Sequence, residues 1–449
     1  MPSSTPTFFD RFNSWRLQHL SDQTFRFLVA SAIGLVTGAA AALLKWMIRL
    51  TSKLLTVNFS ADSFNYPLLL LPVAGIVLAV FFQRYTVRAD MTHGVNRLLH
   101  DIAVHRLRLP PRLMWGAMVA STLTLGFGGS AGSEGPIAYT GAAIGSNFGR
   151  WMGLSRRPLL VMVGCGAAAG IAGIFKAPIG GVLFALEVLK VEFTTVSVMM
   201  MLVACVISAM TAYCLAGFTV DLSYLHIGQF DPSIVAYIAL LGVVCGFYSV
   251  YYSAVMKGMA KLYERIANIW LRAAASGICL AVILFFLPAM FGEGYGIMDK
   301  IVNGDFGSIV GYGGIFRNLD DPWSLILAAG LVVLLKAFAA SASNSGGGVA
   351  GDFAPTLFAG CFVGCLFAMV LNRFFGLGLP VETMAFLGMA GVMAGAIRAP
   401  LMALFLTAEM TNGFILFLPL LGVTAISYGI VRFFRGPDYY HEPHDLHLT

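Results

Sequence analysis

The sequence predicts an all-α integral membrane protein made of two inverted-topology halves with many tilted and broken helices. Three observations lead to this prediction. Only 11% of the 449 residues are charged and 58% are hydrophobic, whereas soluble domains carry about 25% charged residues. Long apolar runs fill most of the chain, and glycine and proline interrupt several of them. The second half of the chain also repeats motifs of the first half.

The low charge content excludes most soluble functions. A soluble chain of this length would need a polar coat over two or three domains, which 28 basic and 22 acidic residues cannot supply. The net charge of +6 therefore indicates membrane topology rather than a nucleic-acid partner. The 7 cysteines lie in apolar segments without Cys-x-x-Cys spacing, so neither a disulfide framework nor a zinc site is predicted.

The distribution of basic residues predicts the orientation in the membrane. The polar N-terminus lacks the apolar core of a signal peptide, and Arg11 and Arg16 favour a cytoplasmic start. An arginine-rich loop between residues 83 and 113 and the basic residues near the C-terminus are predicted to lie on the same side. The protein is therefore expected to be multi-pass with both termini cytoplasmic.

These features also predict the organisation of the chain. Residues 1–24 are expected to form a cytoplasmic tail, and residues 25–435 a transmembrane domain. Its first half spans about 25–217 and its second half about 233–431. Residues 436–449 would be a short cytoplasmic tail, with no soluble regulatory domain after it.

Two pairs of motifs repeat in the same order along the chain. KAPIGGVLFALE at 176–187 matches RAPLMALFLTAE at 398–409. Upstream, GGSAGSEGPIAYTGAAIG at 128–145 matches GGVAGDFAPTLFAGCFVG at 347–364. Interrupted apolar segments in matching positions of two halves are typical of a transporter binding site, because non-helical backbone at membrane depth must be surrounded by protein or a water-filled cavity.

Each half contains a glycine-rich stretch that is followed by Gly-x-x-x-Pro, at 132–136 and at 351–355. Proline is favoured in the first turn of a helix, so each motif predicts a helix N-terminus at a break in the membrane. Helix N-termini carry free N–H groups and about half a positive charge. Two of them converging from opposite sides would bind an anion without any basic side chain.

Glu134 lies inside the first of these motifs. An acid at membrane depth is energetically expensive and marks a functional site. Its carboxylate would compete with a permeant anion for the same N–H groups, and protonation would release it. We therefore expect Glu134 to be a gate and a candidate proton carrier, with a purely capping role at the helix dipole as the alternative.

Three other charged residues interrupt apolar segments. Glu187 and Glu409 are related by the repeat, so a shared structural role is expected, and a place for Glu187 on a proton path is the alternative. Lys336 precedes the second motif. It would either raise the local anion concentration or extend its ammonium group to an interface.

An enzyme is not predicted. The Gly-x-Gly-x-x-Ala stretch at 126–131 only loosely fits a dinucleotide fingerprint, and no acid lies about 20 residues further on. No nucleophile–base pair or metal cluster is apparent at membrane depth. The histidine-rich tail at 441–447 lacks a fixed scaffold, so neither a metal nor a cofactor is expected.

At these motifs the sequence resembles the CLC family of chloride channels and chloride/proton exchangers. GSEGP at 132–136 is similar to the family's G-[KR]-E-G-P, GDFAP at 351–355 is similar to G-x-F-x-P, and the resemblance covers about 25–440. Within the family, the chain resembles the bacterial ClcB-type branch without cytoplasmic CBS domains. The resemblance implies a homodimer in an inner, plasma-type membrane, with one separate pore in each subunit.

The resemblance also implies roles for individual residues. Glu134 matches the gating glutamate, the amides of Asp352 and Phe353 would face the central anion, and Tyr439 matches a tyrosine whose hydroxyl binds it. These groups are expected to approach a common point near the middle of the membrane. The anion-binding residues predicted on this basis are Tyr439, Phe353, Asp352, Gly351, Ser133, Gly135 and His93.

Three departures from the family pattern affect the expected mechanism. THGVN at 92–96 replaces G-S-G-I-P, so His93 stands at the anion-binding serine and Asn96 at the proline. Ser133 replaces a basic residue. Val188 stands where exchangers often carry an internal proton-transfer glutamate, which favours a voltage- or pH-gated passive chloride channel. Chloride/proton antiport is the alternative, and fluoride export is third. The expected ligands are chloride, protons and lipid.

Overall fold

The structure is a computed structural model, and it describes residues 19–59, 65–92, 94–104, 107–190, 194–217, 222, 232–309 and 322–434. Sixteen α-helices dominate these residues, joined by short 3₁₀ and π-helical turns. In chain order the helices are α1 (Asp22–Leu55), α2 (Leu71–Phe81), α3 (Gly94–Ala103), α4 (Leu113–Gly126), α5 (Glu134–Trp151), α6 (Arg156–Phe175), α7 (Pro178–Leu183), α8 (Thr195–Ala216), α9 (Val235–Glu264), α10 (Ile269–Phe286), α11 (Tyr295–Val302), α12 (Pro322–Ser345), α13 (Phe353–Phe375), α14 (Val381–Ile397), α15 (Pro400–Thr411) and α16 (Phe417–Phe433).

The first helix illustrates how local sequence sets the ends of an element. The Ser21 hydroxyl accepts a hydrogen bond of 3.1 Å from the Thr24 amide and so caps α1. Asp22 lies in the first turn and Lys53 in the last, which complements the helix dipole at both ends. The 34 residues of α1 give a length of about 51 Å. Since this exceeds a hydrocarbon core of about 30 Å, α1 must tilt or extend beyond it.

Helix lengths differ widely, as the interrupted apolar runs predicted. The 14-residue α4 is only about 21 Å long and cannot cross a bilayer alone. Within the described residues, eight helical stretches are long and apolar enough to cross: Asp22–Leu55, Arg156–Phe175, Thr195–Ala216, Pro232–Glu264, Ile269–Phe286, Trp323–Ser345, Phe353–Phe375 and Phe414–Phe433. The predicted all-α membrane architecture with broken helices is confirmed. The tail at 436–449 lies outside the described residues, and the predicted domain boundaries stay predictions.

Corresponding breaks occur in the two halves. The helices α6 and α14 are followed directly by Lys176 and Arg398, which both adopt the left-handed conformation, with φ of 57° and 60°. Pro178 and Pro400 then start α7 and α15, where a missing N–H leaves no hydrogen bond unmade. The sequence repeat is therefore also a repeat in structure.

Glycines allow a close approach of neighbouring helices at equivalent places. A Cβ atom built on Gly141 would lie 2.1 Å from the Gly166 carbonyl oxygen, between α5 and α6. One built on Gly360 would lie 2.3 Å from the Gly388 carbonyl oxygen, between α13 and α14. Small residues of this kind let membrane helices pack backbone against backbone. The helices α5 and α13, which begin at the glycine-rich breaks, therefore pack closely against α6 and α14.

Glu187 and Glu409 cap helices of the opposite half. The Glu187 carboxylate accepts hydrogen bonds from the amides of Leu401 (3.2 Å) and Met402 (2.7 Å) at the start of α15. In return, Glu409 accepts from the amides of Ile179 (3.0 Å) and Gly180 (2.8 Å) at the start of α7. This reciprocal capping is the shared structural role expected from the repeat. Hydrogen bonds to charged groups contribute about 1.5–3 kcal/mol each.

Candidate functional site

The two glycine-rich breaks meet directly. The Gly132 amide donates to the Gly351 carbonyl oxygen at 2.9 Å, and the Gly351 amide donates to the Gly132 carbonyl oxygen at 2.6 Å. The backbones run antiparallel at this point, as two inverted halves require. A Cβ atom on Gly351 would lie 2.6 Å from the Gly135 amide nitrogen, so a side chain would force the breaks apart. The two breaks therefore meet at one point of the structure, and the role of that point as an anion site stays a prediction.

Hydrogen bonds between the halves fix the breaks on either side of this bridge. The Ser130 amide donates to the Ser343 hydroxyl at 2.8 Å, and the Val349 amide donates to the Thr124 hydroxyl at 3.0 Å. All four residues are buried. Backbone groups that helix breaks leave without intrahelical partners are thus satisfied within the protein, as membrane depth demands.

Glu134 bridges the two halves through its side chain. It is fully buried at the start of α5, and its Oε1 atom accepts hydrogen bonds from the Ala354 amide (2.8 Å) and the Tyr295 hydroxyl (3.0 Å). Among the described residues, Oε2 has no hydrogen-bond partner. The carboxylate therefore occupies the N-terminus of α13, where the free N–H groups and the helix dipole favour an anion.

The donor to this carboxylate is the Ala354 amide, one residue beyond the amides predicted to face the central anion. The predicted roles of Asp352 and Phe353 towards that anion stay predictions. The Gly351 amide is engaged by Gly132 and is not available to an anion in this conformation. The Asp352 carboxylate accepts from the Asn344 side-chain amide at 2.5 Å. That pairing accounts for an acid so near an anion site.

Ser133 contacts a second carboxylate. Its amide donates to Glu293 Oε1 at 3.1 Å, and its hydroxyl donates to the same atom at 2.5 Å. Ser133 directly precedes α5, so Glu293 caps the helix on which Glu134 stands. Sequence reasoning missed both Glu293 and Tyr295. The available signal was an acid between two glycines beside a tyrosine, in Gly292-Glu293-Gly294-Tyr295.

Glu293 and Tyr295 belong to a short stretch that we call the capping segment, residues Phe291–Tyr295. It comes from the second half and packs into the first-half site. Gly128 has a φ of 103°, and a Cβ atom there would lie 2.4 Å from the Phe291 ring. Gly294 has a φ of 83°, and a Cβ atom there would lie 2.3 Å from the Phe358 ring. Glycine is thus required twice for the capping segment to fit.

Two buried lysines lie close to these groups. Lys336 is fully buried on α12, and its Nζ atom donates to the Ser130 hydroxyl at 2.8 Å and lies 4.3 Å from the centre of the Phe358 ring. The alternative in which Lys336 extends to an interface is therefore wrong. Lys45, on α1, holds its Nζ atom 5.4 Å from the centre of the Tyr295 ring, where a cation is attracted by the ring face.

A cavity of about 930 Å³ lies beside the second break, since Asn344 and Gly347 are among its lining residues. Three arginines and two acids also line it. This lining favours the entry of anions by attraction at short range. The charged residues of the lining are Arg84, Arg88, Arg272, Asp90 and Glu264.

Other predicted residues fall at the edge of the site or beyond it. His93 and Tyr439 lie outside the described residues, as does the tail at 441–447, so their roles stay predictions. Thr92 lines the cavity, and its hydroxyl donates to Asp90 at 2.6 Å. Val188, at the end of the π-helical turn that follows α7, is buried.

Comparison with known proteins gives a consistent result. The family model described as voltage gated chloride channel matches residues 74–432. A ClcB-like protein of Ralstonia nicotianae is 28% identical over 379 residues, which cover 83% of this chain and 84% of that protein. The voltage-gated ClC-type chloride channel ClcB of Citrobacter koseri is 25% identical over 442 residues, covering 93% of this chain and 98% of that one.

Solved structures share the fold. A slow cyanobacterial Cl⁻/H⁺ antiporter superimposes with a TM-score of 0.78 at 21% identity, covering 94% of this chain and 97% of that one. A CLC-type fluoride/proton antiporter superimposes with a TM-score of 0.74 at 24% identity, covering 95% of this chain and 97% of that one. The similarity in fold extends over nearly the whole chain in both cases.

Proposed function

The chain belongs to the voltage-gated chloride channel family, and from this premise we propose that it exchanges chloride for protons across the membrane, with Glu134 as the gate of the anion path. Chloride transport by an integral, multi-pass membrane protein is the coarser function that family membership supports. The exchange of protons is the finer proposal, and the geometry around Glu134 carries it.

The observation that carries the proposal is the hydrogen bond that the Ala354 amide donates to the Glu134 carboxylate. A chloride ion moving to the N-terminus of α13 would need the same donor, so carboxylate and chloride exclude each other. Protonation removes the negative charge and weakens the carboxylate as a competitor. Because one position is taken either by the anion or by a group that must be protonated to leave, the movements of chloride and protons are linked.

The buried state of the site also supports exchange. Glu134, Ala354 and Phe353 are all 0% exposed, so the carboxylate is shielded from solvent in this conformation. An exchanger must pass through such a state, in which neither side has access to the bound group. The two solved relatives described as antiporters of chloride or fluoride with protons add support from outside the chain.

The sequence favoured a passive channel because Val188 cannot carry a proton. Both carboxylate oxygens of its neighbour Glu187 accept backbone amides of α15, which supports a structural role for this residue. We propose instead that water brings protons to the site. The Asn344 Oδ1 atom is buried beside the arginine-lined cavity and has no hydrogen-bond partner among the described residues, and a water molecule would satisfy it.

Purified protein in liposomes tests the proposal. Chloride and proton gradients are set independently, and the reversal potential is measured. Exchange predicts that a proton gradient shifts the reversal potential away from the chloride equilibrium potential. A reversal that stays at the chloride equilibrium potential at every pH difference would establish a channel. Replacing chloride by fluoride in the same experiment tests the third candidate, fluoride export, which predicts faster transport of fluoride than of chloride.

We further propose a homodimer with one anion path in each subunit, in an inner, plasma-type membrane with both termini cytoplasmic. The protein is proposed to have no enzymatic activity and no cofactor. Basic residues around the arginine-lined cavity support the orientation, since they favour the cytoplasmic side. Cross-linking in native membranes followed by electrophoresis tests the dimer, and a reporter fused to each terminus tests the orientation.

A further inference from the structure

The two helix N-termini at the site are occupied in a reciprocal way. Glu134 of the first half accepts the Ala354 amide at the start of α13. Glu293 of the second half accepts the Ser133 amide and hydroxyl at the start of α5. Each helix N-terminus that faces the site therefore carries a carboxylate from the opposite half.

We propose that Glu293 is a second gating carboxylate, which holds the N-terminus of α5 closed and which an incoming anion must displace. This inference rests on the proposed anion transport, and it assigns to Glu293 a role separate from that of Glu134. The two donors of Ser133 are the groups that a passing chloride would use, since an anion prefers the free N–H groups of a helix start.

The surroundings of Glu293 fit a group that moves. Glu293 is half-buried, whereas Glu134 is fully buried, so Glu293 lies nearer to solvent along the same path. It stands between Gly292 and Gly294, which both have positive φ values, 70° and 83°. Glycine on both sides gives the capping segment conformational freedom that other residues lack.

The charged groups around Glu293 give it an alternative partner. Lys45 on α1 is within electrostatic range of both Glu293 and Glu134, and Arg49 lies on the same helix. When an anion takes the Ser133 donors, the Glu293 carboxylate can move towards Lys45 and keep a cationic partner. Tyr295 links Glu134 to Lys45, because its hydroxyl donates to Glu134 and its ring faces Lys45.

The variant Glu293→Gln tests this gate. Glutamine keeps the shape of the side chain and an acceptor oxygen, but it lacks the negative charge and competes less well for the Ser133 donors. Chloride transport is measured in liposomes while chloride is varied on one side at a time. On the side of the capping segment, the half-saturating chloride concentration is expected to fall about two- to tenfold, the order by which a hydrogen bond to a charged acceptor exceeds one to a neutral acceptor.

Two further variants separate gating from simple repulsion. Glu293→Asp keeps the charge but is one methylene too short to reach the Ser133 donors. Gating predicts that it behaves like Glu293→Gln, whereas repulsion alone predicts wild-type behaviour. Glu382→Gln is the matched control, because Glu382 lies in the first turn of another helix, α14. The half-saturating chloride concentration of this variant should equal that of the wild-type protein.

The outcomes distinguish this inference from the proposed function. If wild-type protein transports chloride with a dependence on Glu134, and Glu293→Gln has an unchanged half-saturating concentration, Glu293 is only a cap of α5 and the second gate is refuted. If the wild-type protein transports no anion at all, the proposed function fails and the gate fails with it. A double variant, Glu134→Gln with Glu293→Gln, should transport faster than either single variant because two closures in series have been removed.

Discussion

The Glu134 carboxylate and the Ala354 amide, 2.8 Å apart, join the two inverted halves at the centre of the proposed anion path. The donor stands in the first turn of one half's helix, and the acceptor stands at the start of the other's. Chloride can take this donor only when the carboxylate has left it. The hydrogen bond therefore defines the closed state of the site, and the variants below change its strength or its surroundings.

Replacing the gate should separate anion transport from protons. In the wild-type protein, chloride flux should rise as the pH falls, because protonation neutralises Glu134 and releases the amide. The protonated fraction of a carboxyl group changes up to about tenfold per pH unit. Glu134→Gln should make the flux nearly independent of pH and abolish proton coupling. Flux measurements between pH 4 and 8, with Glu382→Gln as control, check this; a variant with the wild-type pH profile would make Glu134 structural.

Removing the Tyr295 hydroxyl should open the gate more often. Tyr295→Phe deletes one of the two donors to Glu134 Oε1 and keeps the ring that packs near Lys45. A loss of about 1.5–3 kcal/mol for a hydrogen bond to a charged group predicts chloride turnover raised by about ten- to a hundredfold. The matched control is Tyr251→Phe, whose hydroxyl donates to the Leu334 carbonyl oxygen away from the site. Equal chloride turnover in Tyr295→Phe and Tyr251→Phe would show that the Tyr295 hydroxyl does not hold the gate closed.

Lys336 should contribute charge to the site. A cation about 10 Å from an anion contributes about 1.7 kcal/mol at an effective dielectric constant of 20, so Lys336→Met should weaken chloride binding by about tenfold. Titration calorimetry in detergent measures this affinity. The control is Lys261→Met, because Lys261 is exposed in the last turn of α9. Unchanged chloride affinity in Lys336→Met would show that Lys336 has only a structural role, through packing and its hydrogen bond to Ser130.

The reciprocal caps should matter for stability alone. Glu187→Ala and Glu409→Ala each leave two backbone amides without an acceptor, which should lower the free energy of unfolding by about 2–6 kcal/mol, or about 1–3 kcal/mol for each amide. Thermal unfolding in detergent should show similar losses for both. Glu187→Gln and Glu409→Gln should leave proton coupling intact. Altered coupling in Glu187→Gln alone would instead put Glu187 on the proton path.

The contact between the breaks should not tolerate a side chain. In Gly351→Ala, the new Cβ atom would lie 2.6 Å from the Gly135 amide nitrogen and 3.0 Å from Glu134 Oε2. We expect little folded protein, or folded protein without transport. Gly330→Ala is the control, since Gly330 lies inside α12 with nothing within 4 Å of its Cβ position, and it should fold and transport normally. Normal transport by Gly351→Ala would contradict the direct contact of the breaks.

Much of the fold follows from local sequence. Low charge, apolar runs of mixed length and the paired Gly-x-x-x-Pro motifs specify membrane helices that break twice at related positions. The position of Glu134 beside a helix start also follows from its motif, because proline two residues later marks the first turn. These features depend only on residues that are close in sequence, and the structure contains the helices and breaks that they predict.

Contacts between distant residues could not be predicted in this way. Glu293 lies 160 positions from Ser133, and nothing in its local sequence indicates the partner. The sequence did not indicate that the Ala354 amide would hold the Glu134 carboxylate, because which N–H group points at a ligand depends on the angle at which the helix approaches. The repeat indicated that Glu187 and Glu409 share a role, but it could not indicate that each caps the other half's helix.

The exchange of caps between Glu187 and Glu409 has a consequence for the contact between the two halves. In a symmetric homodimer, a residue of one copy contacts a partner on the second, and the reverse contact is made as well. The two halves of this chain meet in that way, with α7 and α15 each closed by a glutamate of the other half. One half alone would leave both its glutamate and its helix start unsatisfied. The two halves therefore depend on each other for these caps, as the two subunits of a symmetric dimer depend on each other at their interface.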